Sequence, residues 1–132
     1  MSSTIEQLVT AVEQLAARVR HLETAEVPTF GADELTIASG VITLTSKAPI
    51  VWVKVDTEGS AATDDLDTIN GGHVGQILIV STKNSARDVT IKDGAGNLQT
   101  AGDFTLSTVA NSILLYSHTG SAWRELSRSD NA

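Results

Sequence analysis

The chain has 132 residues, with nine Lys and Arg against sixteen Asp and Glu, for a formal net charge of −7. An acidic surface gains no counterion-release energy on a phosphate backbone and no attraction to an anionic membrane, so neither nucleic acid nor membrane is an expected partner. The absence of cysteine excludes disulfide staples, thiolate metal sites and cysteine nucleophiles, and a content of 41% hydrophobic but only 4% aromatic residues calls for an aliphatic core.

The opening segment, Met1-Ser2-Ser3-Thr4-Ile5-Glu6, has neither the basic nor the apolar region of a signal peptide. Apolar residues then recur at Ile5, Leu8, Val12, Leu15, Val19 and Leu22, in alternating steps of three and four. That is a heptad repeat with Ile5, Val12 and Val19 at a and Leu8, Leu15 and Leu22 at d, and it predicts a self-associating coiled coil. Ser3 followed by Glu6 reads as a capping box that starts the helix at Thr4. Val27-Pro28 ends it, because the residue before proline is pushed out of the helical region. A helix folded back on its own domain is the competing reading, and Val9, Ala11, Ala16 and Ala17 widen the stripe in its favour. Arg18 falls at g and Glu23 at the following e, so the guanidinium is placed to reach the carboxylate of a neighbouring helix. The expected oligomerisation set is thus Ile5, Leu8, Val12, Leu15, Arg18, Val19, Leu22 and Glu23.

From Leu35 the apolar period changes to two. Strands are predicted at 35–38, 41–45, 50–55, 76–81, 88–92, 98–99, 104–106, 112–117 and 122–126, with turns at Asn70-Gly71-Gly72 and Asp93-Gly94-Ala95-Gly96-Asn97. Thr63 to Ile69 reads as one helical turn capped by Thr63. Short strands at this spacing predict an antiparallel β-sandwich, jelly roll or small barrel. The whole chain is expected to be mainly β: an N-terminal coiled-coil helix (1–27), a linker (28–34), a β-sandwich or jelly-roll domain (35–127) and a short tail (128–132).

Chemistry-bearing residues are sparse. His21, His73 and His118 lack the spacing of metal ligands, and the last two sit in turns. Asp64, Asp65 and Asp67 begin like a calcium loop but lack its glycine and distal glutamate, so a solvated capping loop is the expectation. Gly94-Ala95-Gly96 joins two strands with no helix or lysine after it, which argues against a phosphate loop. Trp52 is expected in the core, and Trp123 capping the core or covering a subunit seam. No catalytic residue, metal site or cofactor is expected.

Residues 64–127 resemble bacteriophage virion appendage proteins: capsid decoration proteins, head fibres and tail-fibre β-domains. The resemblance is carried by Ile69-Asn70-Gly71-Gly72, Gly75 to Val80, Val89 to Gly94, Gly96-Asn97-Leu98, Gly102 to Leu106, Ile113 to Tyr116 and the closing Gly120-Ser121-Ala122-Trp123-Arg124-Glu125-Leu126. The short motif Arg18-Val19-Arg20-His21-Leu22-Glu23 resembles the trimerisation signal of parallel three-stranded coiled coils. Together these resemblances imply a homotrimeric, non-enzymatic β-sandwich on the virion surface, made in the host cytoplasm. Longer relatives carry receptor-binding or enzymatic domains for which this chain has no room. The expected function is a capsid decoration protein or head fibre whose partner is the major capsid protein. The alternative is a tail-fibre or adsorption module that binds a host-surface glycan.

Overall fold

The computed structural model describes residues 3–24 and 31–131. Its first element is a single helix, α1 (Ser3–Thr24). At 1.5 Å per residue its 22 residues make a rod of roughly 33 Å. The expected terminus at Val27-Pro28 lies outside the described residues. Eleven short strands follow among the described residues: β1 (Ala32–Thr36), β2 (Val41–Thr43), β3 (Ile50–Asp56), β4 (Thr63–Leu66), β5 (Thr68–Asn70), β6 (Ile77–Thr82), β7 (Asp88–Ile91), β8 (Leu98–Gln99), β9 (Phe104–Leu106), β10 (Ser112–Ser117) and β11 (Trp123–Ser129).

They form three sheets: a six-stranded sheet in the order β1-β3-β6-β10-β11-β8, a pair β2-β5, and a triplet β4-β7-β9. The expectation of an antiparallel arrangement is corrected here. β1 with β3, β3 with β6, β2 with β5 and β4 with β7 are all parallel. Antiparallel pairing is confined to β10 with β6 and β11, and β9 with β7. Two-residue alternation cannot tell the two arrangements apart, because side chains alternate faces in both. Parallel neighbours need a long crossover, ordinarily a helix. In this chain the crossover is itself made of strands: between β3 and β6 the chain passes through β4 and β5, laying one strand on each of the other two sheets. The result is solenoid-like stacking, closed at one end by the antiparallel strands.

This stacking turns the inward residues into ladders. Val51, Leu78 and Leu115 lie side by side across β3, β6 and β10, and Val53, Val80 and Ile113 form the next rung. Leu66, Ile91 and Phe104 form a rung of the triplet, and Ile42 and Ile69 one of the pair. All of these are buried, and the core is aliphatic apart from Phe104 and Trp123. Each fully buried aliphatic side chain contributes about 1.5–3 kcal/mol of transfer free energy, which offsets the cost of ordering so many short strands.

Three boundaries differ from the sequence expectation. β1 begins at Ala32, inside the segment 28–34 read as linker, because it is an edge strand held by backbone pairing to β3 and needs no alternation of its own. β11 continues to Ser129, past residue 127, because Ser127 and Ser129 pair with Leu114 and Ser112. The helical turn expected at Thr63 is strand β4, whose inward apolar residue is Leu66 alone. A 3-10 turn occurs just upstream, at Glu58–Ser60.

Candidate functional surfaces

The heptad pattern of α1 becomes a continuous stripe in three dimensions. Ile5, Leu8, Val12, Leu15 and Val19 are each between 43% and 76% exposed on the single chain, as is Val9 beside them at 49%. A helix docked on its own domain would bury such a stripe. Arg18 is also exposed. The side chains of Leu22, Glu23 and His21 lie outside the described residues.

The other sequence-selected residues are scattered. His73 sits in the turn before β6, with Nε2 3.1 Å from the Lys47 carbonyl and Nδ1 3.3 Å from that of Val74. His118 follows β10 and meets the Tyr116 ring edge-on, at 6.3 Å between centroids. Asp64 accepts hydrogen bonds from the backbone N–H groups of Glu58 and Asp65, each at 2.8 Å, so it fixes the 3-10 turn. Among the described residues no three His, Asp or Glu side chains gather in a way that could hold a metal ion. Gly94 makes its turn at a φ of +72°. Gly96 packs against the Asp67 carbonyl and the Thr68 hydroxyl, where a Cβ would collide, so this loop is a closure between strands and leaves no cradle for a phosphate.

One surface ion pair shifts the pKa of both of its partners. Lys92 Nζ donates to Asp103 at 2.7 Å, and Asp103 also accepts from the backbone N–H of Asp93 at 2.8 Å. The lysine hydrogen bond, followed by the Asp93 backbone bond, lowers the Asp103 pKa below the ordinary carboxylate range. The same bond and the attraction to Asp103 raise Lys92, with smaller contributions from Asp65 and Asp67. Both residues lie largely in solvent, so this is a surface pair that organises a turn.

The two tryptophans exchange the places expected of them. Trp123 is completely buried, with Nε1 donating to the Ile69 carbonyl at 3.1 Å. Asn97 grips the same residue, accepting from Ile69 N–H at 2.9 Å and donating to its carbonyl at 2.7 Å. Trp52 instead points out of the six-stranded sheet, half-buried, with Nε1 on Ser81 Oγ at 2.8 Å and Lys54 Nζ 5.0 Å from the ring centroid. It does not stand alone. Ile50, Ile77, Ile79, Leu114 and Tyr116 share that outward face. This surface escaped the sequence reading, although a signal was present. Ile50 to Val53, Ile77 to Val80 and Ile113 to Tyr116 are apolar at every position, and such runs mark strands with two apolar faces.

Stacked strands around a closed aliphatic core define a β-domain, with further apolar surface on a helix and on one sheet. The family model for the phage depolymerase C-terminal beta sandwich domain matches residues 30–124. The chain belongs to that family, and it is a bacteriophage virion appendage protein of the tail-fibre or spike type. It is thereby a phage tail-associated structural or adsorption protein. The matched region is the C-terminal β-sandwich of depolymerases rather than their catalytic part, which is consistent with a non-enzymatic chain. A search of curated protein sequences finds no match.

Proposed function

We propose that this chain is a non-enzymatic structural module of a phage tail fibre or spike, assembled as a parallel homotrimer through α1. The observation that carries the proposal is the exposed stripe of Ile5, Leu8, Val12, Leu15 and Val19. Ile or Val at a with Leu at d suits parallel association and by itself favours two strands, whereas the Arg18–Glu23 motif, with its g-to-e contact between neighbouring helices, supports three. Most of a helix's stability in a protein comes from packing its apolar face rather than from propensity, so α1 gains its stability from its partners. Three copies in parallel hold three β-domains on one axis, and avidity strengthens contacts that are weak singly. Membership in a depolymerase family favours the tail over the head, so a tail component takes the place of the major capsid protein as the attachment partner.

The test is light scattering of the full chain beside the double variant Leu8→Glu with Leu15→Glu. The unsubstituted chain is expected at three times its own mass and the variant at one. A single-chain mass for the unsubstituted protein at tens of micromolar overturns the proposal. Antibody labelling of intact virions by electron microscopy is expected on the tail, and head labelling restores the capsid-decoration reading.

A further inference from the structure

We infer that Asn70 is a site of spontaneous covalent modification: its side chain cyclises onto the Gly71 nitrogen, and the product loosens the joint at which Trp123 closes the core. The site lies in the β-domain and does not depend on the assembly proposed for α1.

The chain has five asparagines, at 70, 84, 97, 111 and 131, and only Asn70 is followed by glycine. Asparagine is thermolabile, and a following residue without a Cβ leaves its side chain free to approach the next peptide nitrogen. The fold singles out the same residue. The other four amides are held. Asn84 Oδ1 accepts from Ala86 N–H at 2.8 Å, and Asn97 is bonded to Ile69 and to Ser121. Asn111 Oδ1 accepts from Asn131 N–H at 2.8 Å, and Asn131 Nδ2 donates to the Ala110 carbonyl at 2.8 Å. Asn70 is exposed at the end of β5, and among the described residues its amide side chain has no hydrogen-bond partner. Gly71 N–H is likewise unbonded among them. The ladder bond at this point runs from Leu44 N–H to the Asn70 carbonyl at 2.8 Å, and Gly71 engages through its own carbonyl, which accepts from Lys47 Nζ at 2.9 Å. Asp93-Gly94 is the comparable pair elsewhere in the chain, and it is locked. Asp93 Oδ1 accepts from Thr100 N–H at 2.9 Å, and Gly94 N–H donates to the Leu98 carbonyl at 2.9 Å.

The chemistry is an intramolecular substitution followed by hydrolysis. The Gly71 nitrogen gives up its proton and attacks Asn70 Cγ. A new C–N bond forms, the Cγ–Nδ2 bond breaks, and Nδ2 takes up the proton and leaves as ammonia. Water then opens the resulting succinimide. Attack at Cγ gives aspartate. Attack at the main-chain carbonyl carbon gives isoaspartate, in which the backbone runs through the former side chain and is longer by one methylene. The surroundings leave no room for that methylene. Gly71 has a φ of +84° and lies so close to the Leu44 carbonyl that a Cβ there would collide, and a Cβ on Gly72 would collide with the Trp123 indole. The same crowding obliges glycine at 71, so the fold itself keeps the labile pair together.

The experiment ages the full chain at mildly alkaline pH, folded in buffer and unfolded in urea, and then digests it with trypsin. Asn70 is the sole asparagine of the tryptic peptide 55–83. Mass spectrometry reads the exchange of amide for acid, and enzymatic methylation reads isoaspartate. In the folded chain, peptide 55–83 is expected to convert at least tenfold faster than any peptide carrying another asparagine, and Asn70→Gln to abolish its conversion. Conversion no faster than that of the Asn84 peptide overturns the inference. Rapid conversion in urea with none in the folded chain overturns it too, because the fold would then protect Asn70. Chain carrying isoaspartate at 70 is expected to unfold at a lower denaturant midpoint, with a weaker near-ultraviolet circular dichroism signal from Trp123. Asn70→Asp, which has the same charge and no added methylene, is expected to keep the unsubstituted midpoint. An unchanged midpoint in the isoaspartate form overturns the loosening of the joint, and an equal fall in Asn70→Asp assigns the loss to charge and overturns the role of the methylene.

Discussion

Val53 in β3 and Val12 in α1 are the same side chain in opposite situations. Val53 is fully buried beside Val80 in a core completed within one chain, whereas Val12 stands on the surface of a single helix. The β-domain satisfies its apolar residues internally, because each circuit of the chain lays a new strand beside the last. The helix has no such circuit, and the proposed association satisfies its apolar stripe from outside. Under that proposal, stability in the first region is intramolecular and independent of concentration, and in the second it is set by mass action.

Trp123→Ala tests the first half of that contrast most severely. Removing a fully buried indole and its bond to Ile69 is expected to cost about 3–5 kcal/mol, a large share of the 5–15 kcal/mol that holds a typical domain together. Chemical denaturation should show the β-domain midpoint falling steeply, at the same value at every chain concentration. A midpoint that varies with concentration would mean that this core is completed by another chain, and the contrast would fail. The helix variant Leu8→Glu with Leu15→Glu should behave in the opposite way. Helical ellipticity should be lost and the assembly should dissociate, while the β-domain still unfolds as a cooperative unit.

Asn97→Ala is the intermediate case. It leaves the Ile69 N–H and carbonyl short of the partner that spans two separate strands, and it also removes the bond from Asn97 to the Ser121 carbonyl at 2.9 Å. The Ile69 carbonyl keeps its bond from Trp123 Nε1, and the expected cost is about 1–3 kcal/mol, the usual penalty for leaving a buried backbone N–H unpaired. Asn97→Asp should recover little, because the lost groups are chiefly donors. If Asn97→Ala unfolds at the unsubstituted midpoint, solvent reaches Ile69 and the closure between β5 and β8 is not a stabilising joint.

The same contrast explains what the sequence disclosed. The helix was readable because residues such as Leu8 and Leu15 recur at helical spacing without a polar interruption. Strands β6, β7 and β10 were readable because Val80, Ile91 and Ile113 alternate or run in apolar blocks bounded by glycine turns. β4 was hidden because Thr63-Asp64-Asp65-Leu66 offers one apolar residue, and its pairing is dictated by β7, which arrives more than twenty residues later. Parallel stacking was hidden for a related reason: nothing local to β3 says whether its neighbour runs with it or against it. The outward face with Trp52 was hidden by the convention that apolar means inside. A strand carrying Ile50, Val51, Trp52 and Val53 in succession has two apolar faces, and one of them was assigned to the core by default.

The smallest expected effect concerns charge and lies wholly on the surface of the β-domain. Asp103 has its pKa lowered in the fold by Lys92 and by the Asp93 N–H. Its contribution to stability is therefore present above the ordinary carboxylate pKa and is lost as pH falls through the lower folded value. Lys92 is raised by the same partner, so its contribution is present below the ordinary lysine pKa and is lost as pH rises through the higher folded value. Asp103→Asn should flatten the acid limb of a plot of melting temperature against pH, and Lys92→Met the alkaline limb. Both changes should be slight and should shrink further in salt, since exposed pairs are screened. The helix signal should not follow either variant, because among the described residues no heptad side chain touches this pair. A shift in assembly mass on Asp103→Asn would show the two regions to be electrostatically coupled, and the division between an internally satisfied domain and an externally satisfied helix would need redrawing.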